Sequence, residues 1–226
     1  MHILISLNFS EYFLWADAIL GTPLSETSLS SPVVDTFQKV CFSFWYDLSV
    51  CRTLSIIYAK LLPLQHGEGI QDLKVLTEEV GSARQNVVWQ YSTTVEYWLL
   101  GKVQVQMMEK FKLIVTAVRG EKGSGYVAID DFHFEEDADS CELVPPEASP
   151  SSTSPSTFVP TDPTPTSSFP DCNFDENTCG WETGNSENLA WERTRVSDLT
   201  DEGFDHPLED HDGKKNHHNC LNLKIL

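Results

Sequence analysis

Two adjacent carboxylates, Asp130 and Asp131, interrupt an otherwise apolar stretch that runs from Tyr126-Val127-Ala128-Ile129 to Phe132-His133-Phe134. A charge taken out of water costs several kcal/mol, on the order of 3 or more, unless it is paired, hydrogen-bonded or bound to a metal. Side chains alternate between the faces of a strand, so one of the two carboxylates must face outward and the other inward or into a loop crevice. Three kinds of chemistry are open to such a pair: capping the backbone N–H groups of a neighbouring loop, holding a hard cation such as Ca²⁺ with oxygen ligands from elsewhere, or acid–base catalysis.

The other residues able to do chemistry are six cysteines, Cys41, Cys51, Cys141, Cys172, Cys179 and Cys220. Only Cys172 and Cys179 are close in sequence. With no CxxC pair and no histidine pair at finger spacing, a zinc module is a poor fit, and disulfides in an oxidising compartment are the better one. His206, His211, His217 and His218 crowd the C-terminal tail. They lack the apolar frame that fixes ligand geometry, so a solvated tail explains them better than a metal site. The chain contains no HExxH, GxSxG or GxxxxGK, the arrangements that metal hydrolysis, acyl transfer and nucleotide chemistry require.

The carboxylate pair must be positioned by the hairpin around it. Phe111-Lys112-Leu113-Ile114-Val115-Thr116-Ala117-Val118 is a β-branched, apolar run without helix caps, and so a mostly buried strand. Arg119 to Gly125 supplies three glycines for a turn, and Tyr126 to Phe134 returns as a second strand whose alternation continues through the two aspartates. Upstream, Tyr12, Phe13 and Trp15 favour a strand, and Val40-Cys41-Phe42-Ser43-Phe44-Trp45-Tyr46 has large apolar groups on both faces, as a strand between two layers does. Further strand material is expected at Leu54–Ala59 and Lys102–Gln106, and strand pieces or edge aromatics at Val87–Trp89 and Tyr97-Trp98, with a long loop from Lys60 to Asn86 punctuated by glycines. Many short strands and no amphipathic helix point to an all-β sandwich or jelly roll.

Composition narrows the partners. Fifteen Lys and Arg stand against 34 Asp and Glu, a formal charge of −19. The chain lacks the basic footprint of nucleic-acid binding and would be repelled by an anionic membrane surface. Residues 1–21 are apolar but make a poor secretory signal, because Asn8, Ser10, Glu11 and Asp17 interrupt the run. No window reaches the 18 or so apolar residues of a membrane span, so direct insertion by this chain is not expected. From Val144 to Pro170 Ser, Thr and Pro dominate, the composition of an O-glycosylated stalk or a plain flexible linker. Asn8-Phe9-Ser10 is a sequon, making Asn8 a glycosylation candidate. Beyond the linker, Cys172-Asn173-Phe174-Asp175 begins a second ordered segment. Its Cys172–Cys179 loop is short enough to bridge, and Trp181 and Trp191 would pack over it.

The order of these motifs resembles the MAM domain family. Cys41-Phe42-Ser43-Phe44-Trp45-Tyr46, Trp89 with Trp98, Val118-Arg119-Gly120, Ala128-Ile129-Asp130-Asp131 and Cys141 follow the family's succession of an aromatic strand, two tryptophans, a VRG-like turn, an ALDD-like strand and a closing cysteine. Cys172-Asn173-Phe174-Asp175, Cys179-Gly180-Trp181, Trp191 and Asp205-His206 resemble the opening of another such domain. The resemblance implies a jelly-roll β-sandwich of the extracellular type, with Cys41 paired to Cys141 and Cys172 to Cys179. Cys51 and Cys220 have no family counterpart.

On this reading the chain divides into an N-terminal segment at 1–10, a MAM-like sandwich lacking its first strands at 11–141, a Ser/Thr/Pro linker at 142–171, the start of a second MAM domain at 172–212 and a divergent tail at 213–226. The last ordered segment supplies the part of the fold that the first lacks, so it could reach back along the linker and complete the first sandwich. Asp175 or Glu176 would then approach Asp130 and Asp131 as an oxygen-rich site for a structural Ca²⁺; no other cofactor is expected. The resemblance implies a non-catalytic module for cell adhesion or receptor-chain association, in a multi-MAM surface protein of the zonadhesin type that is membrane-anchored when intact. Its partners would be other cell-surface or extracellular proteins, a second copy included. Two other roles compete: an accessory ectodomain of a membrane enzyme, of the astacin-type metalloprotease or receptor tyrosine phosphatase kind, and a structural spacer in a mucin-like coat.

Overall fold

The computed structural model describes residues 12–17, 22–34, 39–50, 70–82, 84–95, 97–106, 110–121, 125–136, 141–150, 171–184, 189–199 and 207. Ten strands cover most of them: β1 (Tyr12–Asp17), β2 (Glu26–Ser30), β3 (Val40–Val50), β4 (Ile70–Glu79), β5 (Gln85–Tyr91), β6 (Leu99–Val105), β7 (Phe111–Arg119), β8 (Gly125–Glu136), β9 (Glu182–Thr183) and β10 (Glu192–Arg195). The one helix among the described residues is a 3₁₀ turn at Val196–Asp198, so no described helix is long and apolar enough to cross a membrane.

Two antiparallel sheets face each other, sheet A in the order β10-β1-β8-β3-β6 and sheet B in the order β5-β4-β7-β2-β9. Among the first eight strands only β4 and β5 are successive partners in one sheet; every other step crosses between the sheets in the manner of a jelly roll, the architecture expected from the sequence. The crossing from β7 to β8 corrects the hairpin expected over Phe111 to Phe134: each strand buries one side against the opposite sheet and takes its partners from its own. Alternation decides what lies between the sheets. Phe111, Leu113, Val115 and Ala117 of β7 point inward against Phe42, Phe44, Tyr46 and Leu48 of β3, and all are buried. Aromatic rings fill the middle: Phe44 lies 5.1 Å from Trp89 and 5.1 Å from Phe42, with Phe132 edge-on to Phe42 at 5.2 Å. Each such ring contributes roughly 1.5–3 kcal/mol through burial.

Sheet A is buried on its outer side as well. Phe13, Trp15, Tyr126 and Ala128 form a second cluster there with Trp98, and Trp45 and Leu199 pack against it. Large apolar groups on both faces of β3 foreshadowed this two-sided burial. The anticipated loop at 60–86 is corrected in its second half. Leu73, Val75 and Thr77 face the core from β4, and Gly81, at φ 99°, turns the chain into β5; residues 60–69 lie outside the described set. Tyr97 and Trp98 precede β6 and are not strand residues. Trp98 instead stacks edge-on to Phe13 at 5.9 Å. The candidate strand Leu54–Ala59 also lies outside the described residues.

Both pairs of sheet edges are covered, which keeps their unpaired backbone groups from templating aggregation. On one side residues 141–150 lie across the edges: Val144 and Lys102 exchange two backbone hydrogen bonds of 2.9 Å, the Trp89 indole donates to the Val144 carbonyl at 2.8 Å, and Gln90 N–H donates to the Ala148 carbonyl at 3.1 Å. On the other side residues 171–184 and 189–195 do the same work. Here β9 pairs with β2, β10 pairs with β1, and Cys172 bridges to Phe132 of β8. Phe174, Trp181, Leu189 and Trp191 of this segment are buried in the main core.

Candidate functional site

The carboxylate pair sits at a β-bulge. Opposite β3, the register passes from Trp45↔Asp130 to Ser43↔His133, so two residues of β8 face one of β3. Asp131 carries the irregularity at φ 47°, a left-handed conformation that Asp tolerates better than most residues. The extra residue reverses the strand's parity. Before it Val127 and Ile129 point into the core; after it Phe132 and Phe134 do, and both halves of β8 keep their apolar side inward. The simple alternation expected through Asp130 and Asp131 is therefore broken, because it would have put Phe132 and Phe134 on the face opposite Ile129.

Asp130, next to the inward Ile129, faces the outer side of sheet A and is fully buried, with its Oδ1 accepting the Asp131 N–H at 2.8 Å. Asp131 is half-buried. Past the bulge, the edge of β8 passes from β1 to the C-terminal segment. Phe132 and Cys172 exchange two backbone hydrogen bonds of 2.8 Å, and the Asp171 carboxylate accepts from the Phe134 N–H at 2.9 Å and meets His133 Nδ1 at 2.8 Å. The His133–Asp171 pair is exposed and adds little stability.

Arg193 fixes the other end of the junction. Its guanidinium lies 3.5 Å above the centre of the Tyr12 ring and donates to the backbone carbonyls of Phe174 and Asp175. This joins β1, β10 and the Cys172–Cys179 turn in one contact. Arg195 grips Asp198 with two hydrogen bonds, 2.9 and 3.0 Å, and these hold the Asp198 carboxyl below its ordinary range. In the core, burial pushes the Tyr46 phenol well above its ordinary range, with Tyr91 and Glu147 adding to the rise.

Cys41–Cys141 and Cys172–Cys179 are both disulfide-bonded, with Cα atoms 5.6 and 5.9 Å apart. The first fastens residues 141–150 to β3, and the second closes the turn that carries Phe174. Asp130, Asp131 and Asp175 do not converge: among the described residues no three His, Cys, Asp or Glu side chains are placed to hold a metal ion. Asp130, ahead of the bulge and next to the inward Ile129, faces the outer side by simple alternation, while Asp175 accepts from the Asn173 amide at 2.8 Å within its own turn. Asn8, Cys51, Cys220, His206, His211, His217 and His218 lie outside the described residues. Sequence reasoning missed Arg193, Tyr12 and Asp171, because residues from opposite ends of the chain carry no linear signal of their meeting.

What the junction does is hold strands together, with no nucleophile and base set against each other. On the outer side of sheet B, Lys74, Leu76 and Glu78 of β4 and Lys112 of β7 are half-exposed, whereas Ile114, Thr116 and Val118 further along β7 are buried. The sequence profile of the MAM domain, meprin/A5/mu, matches residues 6–142. Among solved structures, one titled "PbXyn10C CBM APO" is similar at 12% identity and TM-score 0.46, over 87% of this chain and 96% of that one. Another, "CBM4 structure and function", is similar at 8% identity and TM-score 0.33, over 54% of this chain and 94% of that one.

Proposed function

The chain belongs to the MAM domain family, and we propose on that basis that it is an extracellular recognition module, without chemistry of its own, that serves cell adhesion or the association of receptor chains. The observation that carries this reading is the family match over residues 6–142. The two disulfides support an oxidising, extracellular setting.

The surface argument favours sheet B. The outer face of sheet A is packed under an aromatic cluster, whereas that of sheet B presents Lys74, Lys112, Glu78 and Leu76 side by side. Mixed charge around an apolar residue suits a protein surface: Lys74 lies 3.6 Å from Asp72, and Lys112 stands opposite Glu78 with Leu76 between the two pairs. The partner is accordingly a surface protein, on the same or a neighbouring cell.

The test is binding of the secreted, multimerised full chain to a panel of cultured cells, measured before and after trypsin treatment of the cells. Saturable binding that trypsin removes is expected. Binding no greater than that of the reduced, unfolded chain would reject recognition, and trypsin-resistant binding would reject a protein partner.

A further inference from the structure

Residues 171–184 and 189–195 are attached to the sandwich in an unusual way. They place β9 beside β2, β10 beside β1 and Cys172 beside Phe132, and bury Phe174, Trp181, Leu189 and Trp191 in the core. Yet their disulfide, Cys172–Cys179, is internal to the segment, and the other described disulfide, Cys41–Cys141, is internal to the rest. Among the described residues, what joins the two parts is non-covalent contact and the connecting chain.

That connection is far longer than it needs to be. Val144 lies beyond β6 and Cys172 beyond β8, so β6, β3 and β8 separate them. Four strand spacings of about 4.8 Å make roughly 19 Å. The 20 residues from Ser151 to Pro170 extend to about 60 Å at roughly 3.1 Å per residue. Such a length lets the segment close on its own sandwich or reach the same docking edge of a second molecule, where every contact it makes would be reproduced. The same non-covalent contacts, made in either place, leave only the concentration of chains to decide between them.

We infer that residues 171–184 and 189–195 form an exchangeable clasp, and that two copies of this chain join by each seating its clasp on the β1, β2 and β8 edges of the other. The acceptor surface is built by Leu29 and Ser30 opposite Thr183 and Glu182, by Tyr12 beneath Arg193, and by Phe132 against Phe174 and Trp181. This mode of self-association is independent of any binding through the sheet B face.

Ser30 and Glu182 are directly paired across β2 and β9, a separation that suits an engineered disulfide. Two full-length copies with different tags, one Ser30→Cys and the other Glu182→Cys, are secreted together from the same cells. A covalent heterodimer is expected on non-reducing gels, and it should be lost when Glu26→Cys, on β2 but outside the β9 pairing, replaces Ser30→Cys. The single-chain double variant Ser30→Cys/Glu182→Cys reports docking within one molecule. If it closes while the mixture yields only monomers, the clasp never leaves its own sandwich and exchange is overturned. If neither cross-link forms, the clasp does not occupy the β2 edge, and the proposal falls with it.

Discussion

Gly101 is the position where one added methyl group should be felt most. It lies on β6 directly opposite Phe44 of β3, with no side chain between its backbone and the ring. A Cβ built there would stand 2.6 Å from Phe44 Cζ and 2.9 Å from both Cε atoms. Carbon atoms pack at about 3.5–4 Å, so the ring would have to retreat by roughly 1 Å. It has nowhere to go. Phe44 is fully buried and hemmed by Phe42 at 5.1 Å, Trp89 at 5.1 Å, Tyr46 at 5.9 Å and Phe132 at 6.2 Å. Overpacking of this kind costs about 1–3 kcal/mol. Replacing a strand glycine returns up to about 1 kcal/mol through the unfolded state, so Gly101→Ala should lose a net 1–2 kcal/mol or so. At about 2–4 °C per kcal/mol for a domain of this size, the melting point falls by roughly 2–8 °C. Urea and thermal unfolding followed by tryptophan fluorescence would read this, since Trp89 lies against the displaced ring. In a Phe44→Leu background, where the ring is gone, the same glycine substitution should cost far less. A Gly101→Ala protein as stable as the parent, or an equal cost with and without the ring, would refute the steric reasoning.

Three further outcomes follow from the same structure. Replacing Cys41 and Cys141 by serine opens a loop closed across a separation of 100 residues and should lower stability by about 4–5 kcal/mol, read by urea denaturation. Asp131→Val forces a β-branched residue into the left-handed bulge and should destabilise by about 1–2 kcal/mol more than Asp131→Asn, which tolerates that conformation. Because burial raises the Tyr46 pKa in the folded state, its contribution is complete below the unfolded phenol's value near 10.0 and is lost as pH rises above it. Stability should therefore decline on going from pH 9 to pH 11, and less steeply in a Tyr46→Phe variant.

Much of this architecture was legible in the residues, for identifiable reasons. Both strands of the expected hairpin were legible as β-branched, apolar runs flanking a glycine-rich connection, but the pairing was not: β7 joins β2 and β4 in sheet B while β8 joins β1 and β3 in sheet A, so the connection crosses between the sheets. The two-sided burial of β3 was legible because Phe42, Phe44 and Tyr46 alternate with Cys41 and Trp45. β4 was hidden. Its residues Gln71, Lys74, Glu78 and Glu79 are polar, and the irregularity at Ile70/Asp72, where Gln71 is the extra residue, breaks the two-residue period at its start. The bulge at Asp131 was equally invisible, since it is defined by the register of β8 against β3 and not by β8 alone. At the candidate site, the sequence drew the eye to three aspartates as cation ligands. Asp130 faces away from the core because it alternates with the inward Ile129, and the parity reversal after it brings Phe132, not a carboxylate, to the core side where Phe174 docks.

Recognition through the outer face of sheet B is tested most directly by titrating the secreted full chain and its Leu76→Arg/Lys112→Glu variant onto responsive cells. Gln104→Arg, at an exposed position on β6 of sheet A, serves as the folded control. The half-exposed positions of Leu76 and Lys112 predict that the double variant stays folded yet loses saturable binding, while the control retains it. Equal binding by all three proteins would contradict recognition through this face, and no saturable binding by the parent would contradict the proposed function itself.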